Sequence, residues 1–344
     1  MERKLASVQR VLSIEPIPGA DAIESIRING WQCVAKKGEF AVGDLGVYFE
    51  IDAVPPDTSQ YWFLWTPRGV EAKAGLRPSS ARIRTIRLRG SLSQGLLVRL
   101  KVAGISSETP EGSDVSDRLG VTKYEAPLPS GMGDARGPFP RAVPKTDEIR
   151  VQSLPAVLDE LRGHPYVITQ KCDGTSATFL ISPDDGEFHA CGRNWSITPG
   201  ENCYWSVATK YRLEEKLRSL GGIWALQGEV CGPGIQKNPL GLSQISLFLF
   251  NAWQLIEHRH ASHSELTELA AQLELPLVEL IERGDDFSHD QGSLLSLAEG
   301  FYAGTKNERE GIVIRALTPT QSTVLGGRLS FKAISNRYLL AERD

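Results

Sequence analysis

The stretch Tyr166-Val-Ile-Thr-Gln-Lys-Cys-Asp-Gly-Thr-Ser-Ala-Thr-Phe179 decides the fold of the second part of the chain. Its first part has the apolar and β-branched pattern of a strand that enters a core and ends at Lys171. Asp173-Gly174 indicates a tight turn, and the run that starts at Thr175 is rich in residues that favour strands. The pattern therefore predicts a hairpin that presents Lys171 instead of burying it.

A lysine in this position has two interpretations. An unperturbed lysine has a pKa near ~10.4 and is almost wholly protonated at neutral pH. Nearby cations or desolvation lower that pKa and free the amine to act as a nucleophile. In the other interpretation, Lys171 ends an ordinary hairpin and points at water. The Lys-x-Asp-Gly pattern alone does not decide between them.

Length and composition indicate a globular protein of two domains. The chain has 344 residues, of which 41% are hydrophobic and 23% charged. No apolar run approaches the roughly 18 residues of a membrane span, and no apolar stretch follows the first residues as in a secretory signal. The five cysteines are odd in number and form no Cys-x-x-Cys pair. We therefore expect reduced thiols and a cytoplasmic protein, without disulfides or a zinc site.

The charge is unevenly distributed between the two parts of the chain. The net charge is −4, with 17 basic and 15 acidic residues in 1–126 against 21 basic and 27 acidic residues in the remainder. The first part is thus slightly basic (+2) and the second acidic (−6). An acidic domain can still bind polyphosphate if its carboxylates hold a divalent metal.

Residues 1–126 are predicted to form an all-β module. Short β-rich runs alternate with turn signals at the spacing of a small barrel or sandwich. One segment carries four arginines at alternate positions: Arg82, Arg84, Arg87 and Arg89. In a regular strand the first two and the last two would face opposite sides, so a bulge near Thr85 would be needed to align them. Two interpretations stay open, a rim that follows nucleic-acid phosphates and a solvated edge strand.

A linker and a second domain are predicted after this module. Residues 127–144 contain five prolines and several glycines, which is typical of a linker. Residues 145–344 have a mixed pattern that predicts an α+β domain of antiparallel sheets flanked by helices. A helix is predicted from an N-cap at Thr198 to Leu220, and Ser262 with Glu265 forms a capping box for another.

Two carboxylates stand in otherwise apolar strand patterns, at Glu229 and Glu310. A carboxylate there is costly unless it is paired or bound to a metal. One such residue would usually form a structural ion pair. Two of them, together with Lys171 and the strand residue Lys332, indicate a site where a metal and a phosphate meet.

The order of these elements resembles the covalent nucleotidyltransferases, which include ATP-dependent RNA and DNA ligases and capping enzymes. The segments that match their motifs I, Ia, III, IIIa, IV and V are Lys171-Cys-Asp-Gly174, Cys191-Gly-Arg-Asn194, Glu229, Phe248-Leu-Phe-Asn251, Glu310-Gly-Ile-Val313 and Ser330-Phe-Lys332. The spacings are 58 (229 − 171), 81 (310 − 229) and 22 (332 − 310) residues. No single motif is specific, but the set in this order is, and it covers roughly residues 140–344.

The first module resembles the oligonucleotide-binding (OB) barrel that is found as an appended tRNA-binding module. The similar segments are Glu15-Pro-Ile-Pro-Gly-Ala-Asp21, Phe40-Ala-Val-Gly-Asp44 and Arg87-Leu-Arg-Gly-Ser-Leu-Ser-Gln-Gly-Leu-Leu97. An OB-like module before the catalytic domain, with 12 residues after Lys332 (344 − 332), is similar to the Deinococcus-type RNA ligases. DNA ligases and capping enzymes would carry an OB domain at that end.

This resemblance implies an ATP-dependent RNA ligase that joins 3′-OH and 5′-phosphate ends through lysyl-AMP and RNA-adenylate, at nicks in duplex RNA or RNA/DNA hybrid. Lys171 would be the nucleophile, and Lys332 would contact the α-phosphate. Mg²⁺ or Mn²⁺ would be held by Asp173, Glu229 and Glu310. RNA is the expected partner, with no obligate protein partner and no membrane.

The resemblance also implies a set of substrate contacts and shows one departure. Phe250 would stack on adenine, Gln170 would lie near the base edge, Arg193 would contact ribose or the 5′-phosphate, and Arg315 would contact a phosphate. Related ligases often have two motif V lysines, but the first position here is Ser330. Arg328 or Arg315 would be the substitutes.

Two alternatives remain at this point. One is another covalent nucleotidyltransferase, such as a DNA ligase or a capping guanylyltransferase. The other is a non-catalytic RNA-binding protein, which only the single motif V lysine favours.

Overall fold

The computed structural model describes residues 3–67, 69–124 and 132–341. None of the helices within these ranges has the length and apolar character needed to cross a membrane. The five cysteines are all buried free thiols.

The chain divides into two compact units, which are described separately. The first comprises Met1–Pro127, Val151–Pro155 and Leu339–Asp344, and the second comprises Leu128–Arg150 and Ala156–Tyr338.

The first unit is built mainly from short strands. Its elements are β1 (Ala6–Arg10), β2 (Ser13–Pro16), β3 (Ile23–Ile28), β4 (Trp31–Lys36), β5 (Leu45–Phe49), β6 (Ala53–Val54), a 3₁₀ turn (Trp62–Leu64), β7 (Thr85–Leu88), β8 (Ser91–Gln94), β9 (Leu96–Arg99), α1 (Leu100–Ala103), α2 (Ser116–Leu119) and β10 (Thr122–Lys123). They pair as β1-β5-β9, β2-β3-β4, β7-β8 and β6-β10. Within the described residues these ladders do not join into a closed barrel.

Serine side chains connect two of these small sheets. The backbone N–H of Val34 in β4 donates to Ser93 Oγ in β8 at 3.0 Å, and Gln32 Nε2 donates to Ser91 Oγ at 3.0 Å. These bonds satisfy polar groups that would otherwise be left unpaired between the sheets. Hydroxyl groups therefore hold the β7–β8 hairpin against β4 where the backbone ladder is absent.

The arginine-rich segment differs from its predicted form. The side chain of Arg82 is only 5% exposed and lies 3.8 Å from a carboxylate oxygen of Asp52. Its guanidinium lies 4.2 Å from the centroid of the Tyr124 ring. Strand β7 begins only after this residue, and Arg87 and Arg89 are exposed on the hairpin. The structure thus places Arg82 inside the unit instead of on an open rim, because its charge and stacking partners come from distant parts of the chain.

The second unit contains the larger sheets and most of the helices. Its elements are β11 (Ala135–Pro138), β12 (Ile149–Arg150), α3 (Val157–Leu161), β13 (Tyr166–Lys171), β14 (Thr175–Ile181), β15 (Phe188–Cys191), β16 (Trp195–Ile197), α4 (Cys203–Lys210), α5 (Leu213–Ser219), β17 (Trp224–Cys231), β18 (Ser246–Gln254), β19 (Arg259–His260), α6 (His263–Gln272), β20 (Leu280–Gly284), α7 (Gln291–Ala298), β21 (Gly311–Ala316), β22 (Gln321–Ser322), β23 (Gly327–Arg328) and β24 (Ser330–Ile334). A last helix, α8 (Asn336–Ala341), begins at its end.

Two sheets form the body of this unit. One has the order β11-β16-β15-β14-β17-β18-β19 and the other β12-β24-β21-β13-β20, while β22 and β23 pair alone. All neighbours in the two large sheets run antiparallel except β12 and β24. The predicted α+β class with antiparallel sheets is confirmed. Helices α4, α5 and α6 bury their apolar residues in a core with the seven-stranded sheet.

The predicted hairpin around Lys171 is wrong, because β13 and β14 belong to different sheets. The Asp173-Gly174 turn instead carries the chain from the five-stranded to the seven-stranded sheet. At Gly174 the chain passes so close to β17 that a Cβ would lie 2.4 Å from the carbonyl oxygen of Val230. Lys171 therefore lies where the chain leaves one sheet for the other.

Part of the predicted linker belongs to the second unit. Its residues 127–131 lie outside the described residues, but β11 in the remainder pairs with β16. Val143 is buried, and the carbonyl oxygen of Ala142 accepts a hydrogen bond from Trp253 Nε1 at 2.9 Å. Proline-rich composition predicted an irregular backbone there, but it could not show that side chains of the sheet anchor it.

Glycine at position 311 is expected to be essential for stability. Its φ is +155°, and a Cβ would lie 2.2 Å from the carbonyl oxygen of Ala333 on β24. We expect Gly311→Ala to lower the free energy of unfolding by about 1–3 kcal/mol, measured by urea denaturation. Gly327→Ala is the matched control, because nothing lies within 4 Å of a Cβ there. Equal stability of the two variants would contradict this expectation.

Candidate active site

Lys171 and Glu310 form the centre of the site. Lys171 is the last residue of β13 and lies opposite Gly311 in β21, so the residue before that glycine lies beside it. Lys171 Nζ donates to Glu310 Oε2 at 2.7 Å, and the two side chains are 24% and 17% exposed. The sheet register thus brings together two residues that are far apart in the sequence.

The surroundings of Lys171 raise the pKa of its amine. Burial acts to lower this pKa, but the negative charges of Glu310, Glu229 and Asp173 outweigh burial. The direction is opposite to that expected for a lysine activated by neighbouring cations. In this state Lys171 is protonated, so the acids around it must be neutralised before the amine can act as a nucleophile.

Glu229 and Asp173 complete a group of three carboxylates around the amine. Glu229 lies on β17, opposite Phe248 of β18. Its pKa is raised to about 8, by burial first and then by the charges of Glu310 and Asp173, while Lys171 acts to lower it. Asp173 Oδ2 accepts a hydrogen bond from the Tyr338 hydroxyl at 2.9 Å. The three predicted metal ligands therefore share one electrostatic environment.

The chemistry of these carboxylates fits a divalent cation. Within the described ranges, no three or more His, Cys, Asp and Glu side chains are already grouped as a metal cage. Burial raises the pKa of Glu229, the charges of Glu310 and Asp173 raise it further, and Lys171 provides the positive charge that opposes this. Carboxylate oxygens are the ligands that Mg²⁺ and Mn²⁺ prefer. The metal-binding role of Asp173, Glu229 and Glu310 stays a prediction.

Lys332 lies on the same face of the five-stranded sheet as Lys171. In the register of the sheet Lys332 is opposite Val313, which is in turn opposite Thr169, two residues before Lys171. Its pKa is lowered to about 7 by burial first, then by the charges of Lys171 and Arg150. Arg150 pairs with Lys332 across the parallel strands β12 and β24. An anion between these cations would be favoured.

Arg315 has protein partners in place of the predicted phosphate contact. Its guanidinium donates to Glu148 Oε1 at 2.6 Å, to Ser330 Oγ at 3.1 Å and to the carbonyl oxygen of Phe250 at 2.7 Å. The ion pair is well buried, with side-chain exposures of 8% and 14% for Arg315 and Glu148. The structure thus makes Arg315 a support for Phe250 and Ser330, because its donors are directed into the sheet.

Phe250, which is predicted to stack on adenine, borders a partly apolar region. Phe250 packs with Phe248, Cys172 and Val278 in one hydrophobic cluster. A cavity of about 180 Å³ lies beside it and is also lined by Thr169, Arg315 and Arg328. Gln170 is 7% exposed, and its Oε1 has no hydrogen-bond partner within the described protein. A buried acceptor without a partner fits a ligand that carries an amino group.

Arg193 lies at the surface of the second unit. Its guanidinium donates to Asp147 Oδ1 at 2.7 Å, with side-chain exposures of 50% and 58%. Its neighbour Asn194 accepts a hydrogen bond from Lys145 Nζ at 2.8 Å. Exposed pairs of this kind contribute little stability, so an incoming phosphate can compete for the guanidinium.

Three residues that interact with side chains of the site were not found from the sequence: Glu148, Arg150 and Tyr338. None lies within a recognisable motif. Glu148 directly precedes the two-residue strand β12 and Arg150 is its second residue, and a strand of this length is too short to give a periodic pattern. Tyr338 lies in the final helix, where a tyrosine usually indicates packing. Only the fold shows their contacts with Arg315, Lys332 and Asp173.

The pKa of Glu229 predicts how stability depends on pH without metal. Between its ordinary pKa of 4.5 and about 8, folded Glu229 keeps a proton that the unfolded chain has lost. Wild-type stability should therefore fall as pH rises through this window. We expect Glu229→Gln, which cannot titrate, to gain about 1–3 kcal/mol relative to wild type between pH 5 and pH 8. Urea melts in a chelating buffer measure this, with Glu215→Gln as an exposed control. Parallel curves for wild type and Glu229→Gln would refute it.

Comparisons with known proteins agree with this arrangement. Residues 5–100 match the profile of an OB-fold domain, which confirms the predicted class of the first module, and residues 164–334 match the RNA ligase family. No curated protein sequence matches the chain.

Solved structures of a Naegleria gruberi RNA ligase are similar over nearly the whole length. The structure with pyrophosphate has 35% identity and a TM-score of 0.87, with 98% of each chain covered. A lysine-to-methionine variant with AMP and Mn has the same identity, coverage and TM-score. A glutamate-to-alanine variant with ATP and Mn has 34% identity and a TM-score of 0.88, and covers 99% of this chain and 100% of that one. With this identity over both units, the chain belongs to the RNA ligase family.

Proposed function

We propose that this protein seals RNA by joining a 3′-OH end to a 5′-phosphate end, with ATP as the source of AMP. The intermediates are lysyl-AMP on Lys171 and then an RNA-adenylate. The substrate is a nick in duplex RNA or in an RNA/DNA hybrid. The observation that carries this proposal is the Lys171–Glu310 pair at 2.7 Å, set among further carboxylates.

Lys171 makes the first bond in this proposal. Its Nζ attacks the α-phosphorus of ATP, an N–P bond forms, and the bond to pyrophosphate breaks. A divalent metal at the carboxylates of Asp173, Glu229 and Glu310 would offset their charge and that of the phosphate, which favours the neutral amine. Structures of the Naegleria relative with ATP or AMP and Mn support this choice of nucleotide and metal.

Other residues of the second unit orient the nucleotide. Lys332 contacts the α-phosphate. Burial first, and then the charges of Lys171 and Arg150, lower its pKa to about 7, and the charges of Glu148 and Glu310 oppose this only in part. Phe250 stacks on adenine, and Gln170 accepts a hydrogen bond from the base edge. Arg193 exchanges Asp147 for ribose or for the 5′-phosphate of the RNA. AMP then passes to that 5′-phosphate and leaves when the 3′-OH attacks.

The first unit provides the proposed RNA contact through its arginine hairpin. Arg87 and Arg89 are exposed at the turn of β7 and β8, and Arg84 is half-buried beside them. The apolar side chains of Ile86 and Leu88 are 45% and 37% exposed on the same hairpin. Exposed cations on one hairpin suit contact with a phosphate backbone.

Labelling with nucleotide tests the catalytic proposal. Incubation with ATP and Mn²⁺ is expected to add one AMP to the protein, detected by mass spectrometry and mapped to Lys171. Lys171→Met should abolish the adduct, because it keeps the unbranched stem but removes the amine. The exposed control Lys101→Met should retain it.

Sealing of a nicked RNA duplex is then measured directly. Labelling by GTP alone would indicate a guanylyltransferase, and no label from either nucleotide a binding protein.

A pair of arginine variants tests the RNA contact. Arg87→Met should weaken RNA binding and reduce the slope of log K against log salt by roughly one unit, because one phosphate contact is lost. Arg82→Met should instead reduce stability through the lost contacts with Tyr124 and Asp52, without changing affinity per folded molecule. Fluorescence anisotropy at several salt concentrations measures both. The reverse pattern would place the RNA elsewhere.

A further inference from the structure

One buried hydroxyl group joins the backbones of the two central residues of the site. The hydroxyl of Tyr302 donates to the carbonyl oxygen of Lys171 at 3.1 Å and accepts from the backbone N–H of Glu310 at 3.1 Å. The residue is 2% exposed. A tyrosine hydroxyl has an ordinary pKa of about 10, so it keeps its proton at neutral pH and can donate.

We propose that Tyr302 is a positioning residue for lysine adenylylation: its hydroxyl fixes the end of β13 against the start of β21. The proposal rests on the function proposed above. It goes beyond that function because no motif and no predicted role included this residue.

The bridge lies where the regular ladder between the two strands ends. Lys171 and Gly311 are the last paired residues of β13 and β21, so Glu310 stands outside the sheet. Without the hydroxyl, the Lys171 carbonyl and the Glu310 N–H would both lose a hydrogen bond in a largely buried region. The backbones of β13 and β21 would then be free to separate at the position that places Lys171 Nζ beside Glu310 Oε2. A shift on the order of 1 Å at such a position costs about 10²-fold in rate.

Tyr302 is itself held in place by the loop between α7 and β21. The backbone N–H of Tyr302 donates to the carbonyl oxygen of Asn307 at 3.1 Å, and its own carbonyl accepts from Thr305 Oγ1 at 3.0 Å. The guanidinium of Arg309 donates to the carbonyl oxygens of Ala298 at 3.2 Å and Glu299 at 2.8 Å. The loop is therefore fixed to the end of α7, and the hydroxyl is rigidly placed before substrate arrives.

Tyr302→Phe is the direct test, because it removes only the hydroxyl. In single-turnover reactions we expect the rate of Lys171 adenylylation at saturating ATP to fall about 10–100-fold. The KM for ATP should stay within about 3-fold of wild type, because no proposed ATP contact involves Tyr302. A purely structural role would lower the folded fraction but leave the rate per folded molecule unchanged, so rates are normalised to the folded fraction from circular dichroism.

Tyr48→Phe is the matched control. Tyr48 is 1% exposed, and its hydroxyl donates to the carbonyl oxygen of Gln94 in the first unit. Its loss should cost similar stability without slowing adenylylation. A wild-type rate per folded molecule for Tyr302→Phe, or a change in KM alone, would overturn the positioning role while the proposed function stands. A wild-type protein that forms no lysyl-AMP would overturn both.

Hydrogen exchange provides a measurement that does not need the variant to fold. In the wild-type protein the Glu310 amide should exchange as slowly as the amides of β21, because the Tyr302 hydroxyl accepts its hydrogen bond. NMR or fragment mass spectrometry measures this rate. Fast exchange at Glu310 beside a protected β21 would show that the bridge is absent in solution.

Discussion

The site depends on the charge interactions between one amine and three carboxylates. Lys171 and Glu310 are 2.7 Å apart, and the charges of Glu229 and Asp173 reinforce the pair. The pKa of the amine is raised, which makes it a poor nucleophile, and the pKa of Glu229 is raised to about 8. A cation at the carboxylates would replace the charge that the ammonium group supplies. In the proposed reaction, activation of the nucleophile and binding of a metal would then be one electrostatic event, which accounts for the acids beside the lysine.

This arrangement exists because the chain crosses between two sheets within three residues. Lys171 ends a strand of the five-stranded sheet, and Glu229 lies in the seven-stranded sheet. The crossing is possible only because Gly174 has no Cβ, which would lie 2.4 Å from the backbone of β17. Gly311 likewise leaves room for the backbone of β24, because a Cβ at this position would lie only 2.2 Å from the carbonyl oxygen of Ala333. Glycine is thus required at positions 174 and 311, in motifs I and IV, because the backbone of a neighbouring strand passes close by. The charged residues beside these glycines are therefore held in fixed positions.

The sequence predicted those features that local chemistry determines. The capping box of Ser262 and Glu265 is confirmed at the start of α6, because it needs only residues three apart. The helix predicted from Thr198 begins later, at an N-cap of Asn202, and is broken at Arg212, which has a positive φ. Asp173-Gly174 was recognised as a turn, but a turn does not show which sheet the next strand joins. The interior position of Arg82 depends on Tyr124, a partner that sequence spacing does not reveal.

The charges around Ser330 explain why motif V has a serine at this position. Ser330 lies opposite Arg315 in the sheet, and its hydroxyl bonds both Arg315 and Glu148. Burial and then the charge of Arg315 lower the pKa of Arg328 to about 9, and burial and then other cations lower that of Lys332 to about 7. A lysine at 330 would add a further cation beside one compensating glutamate. The Ser330 hydroxyl instead hydrogen-bonds both members of the Arg315–Glu148 ion pair without adding a charge. The departure from two lysines is therefore explained by Arg315, and it does not require a loss of catalytic function.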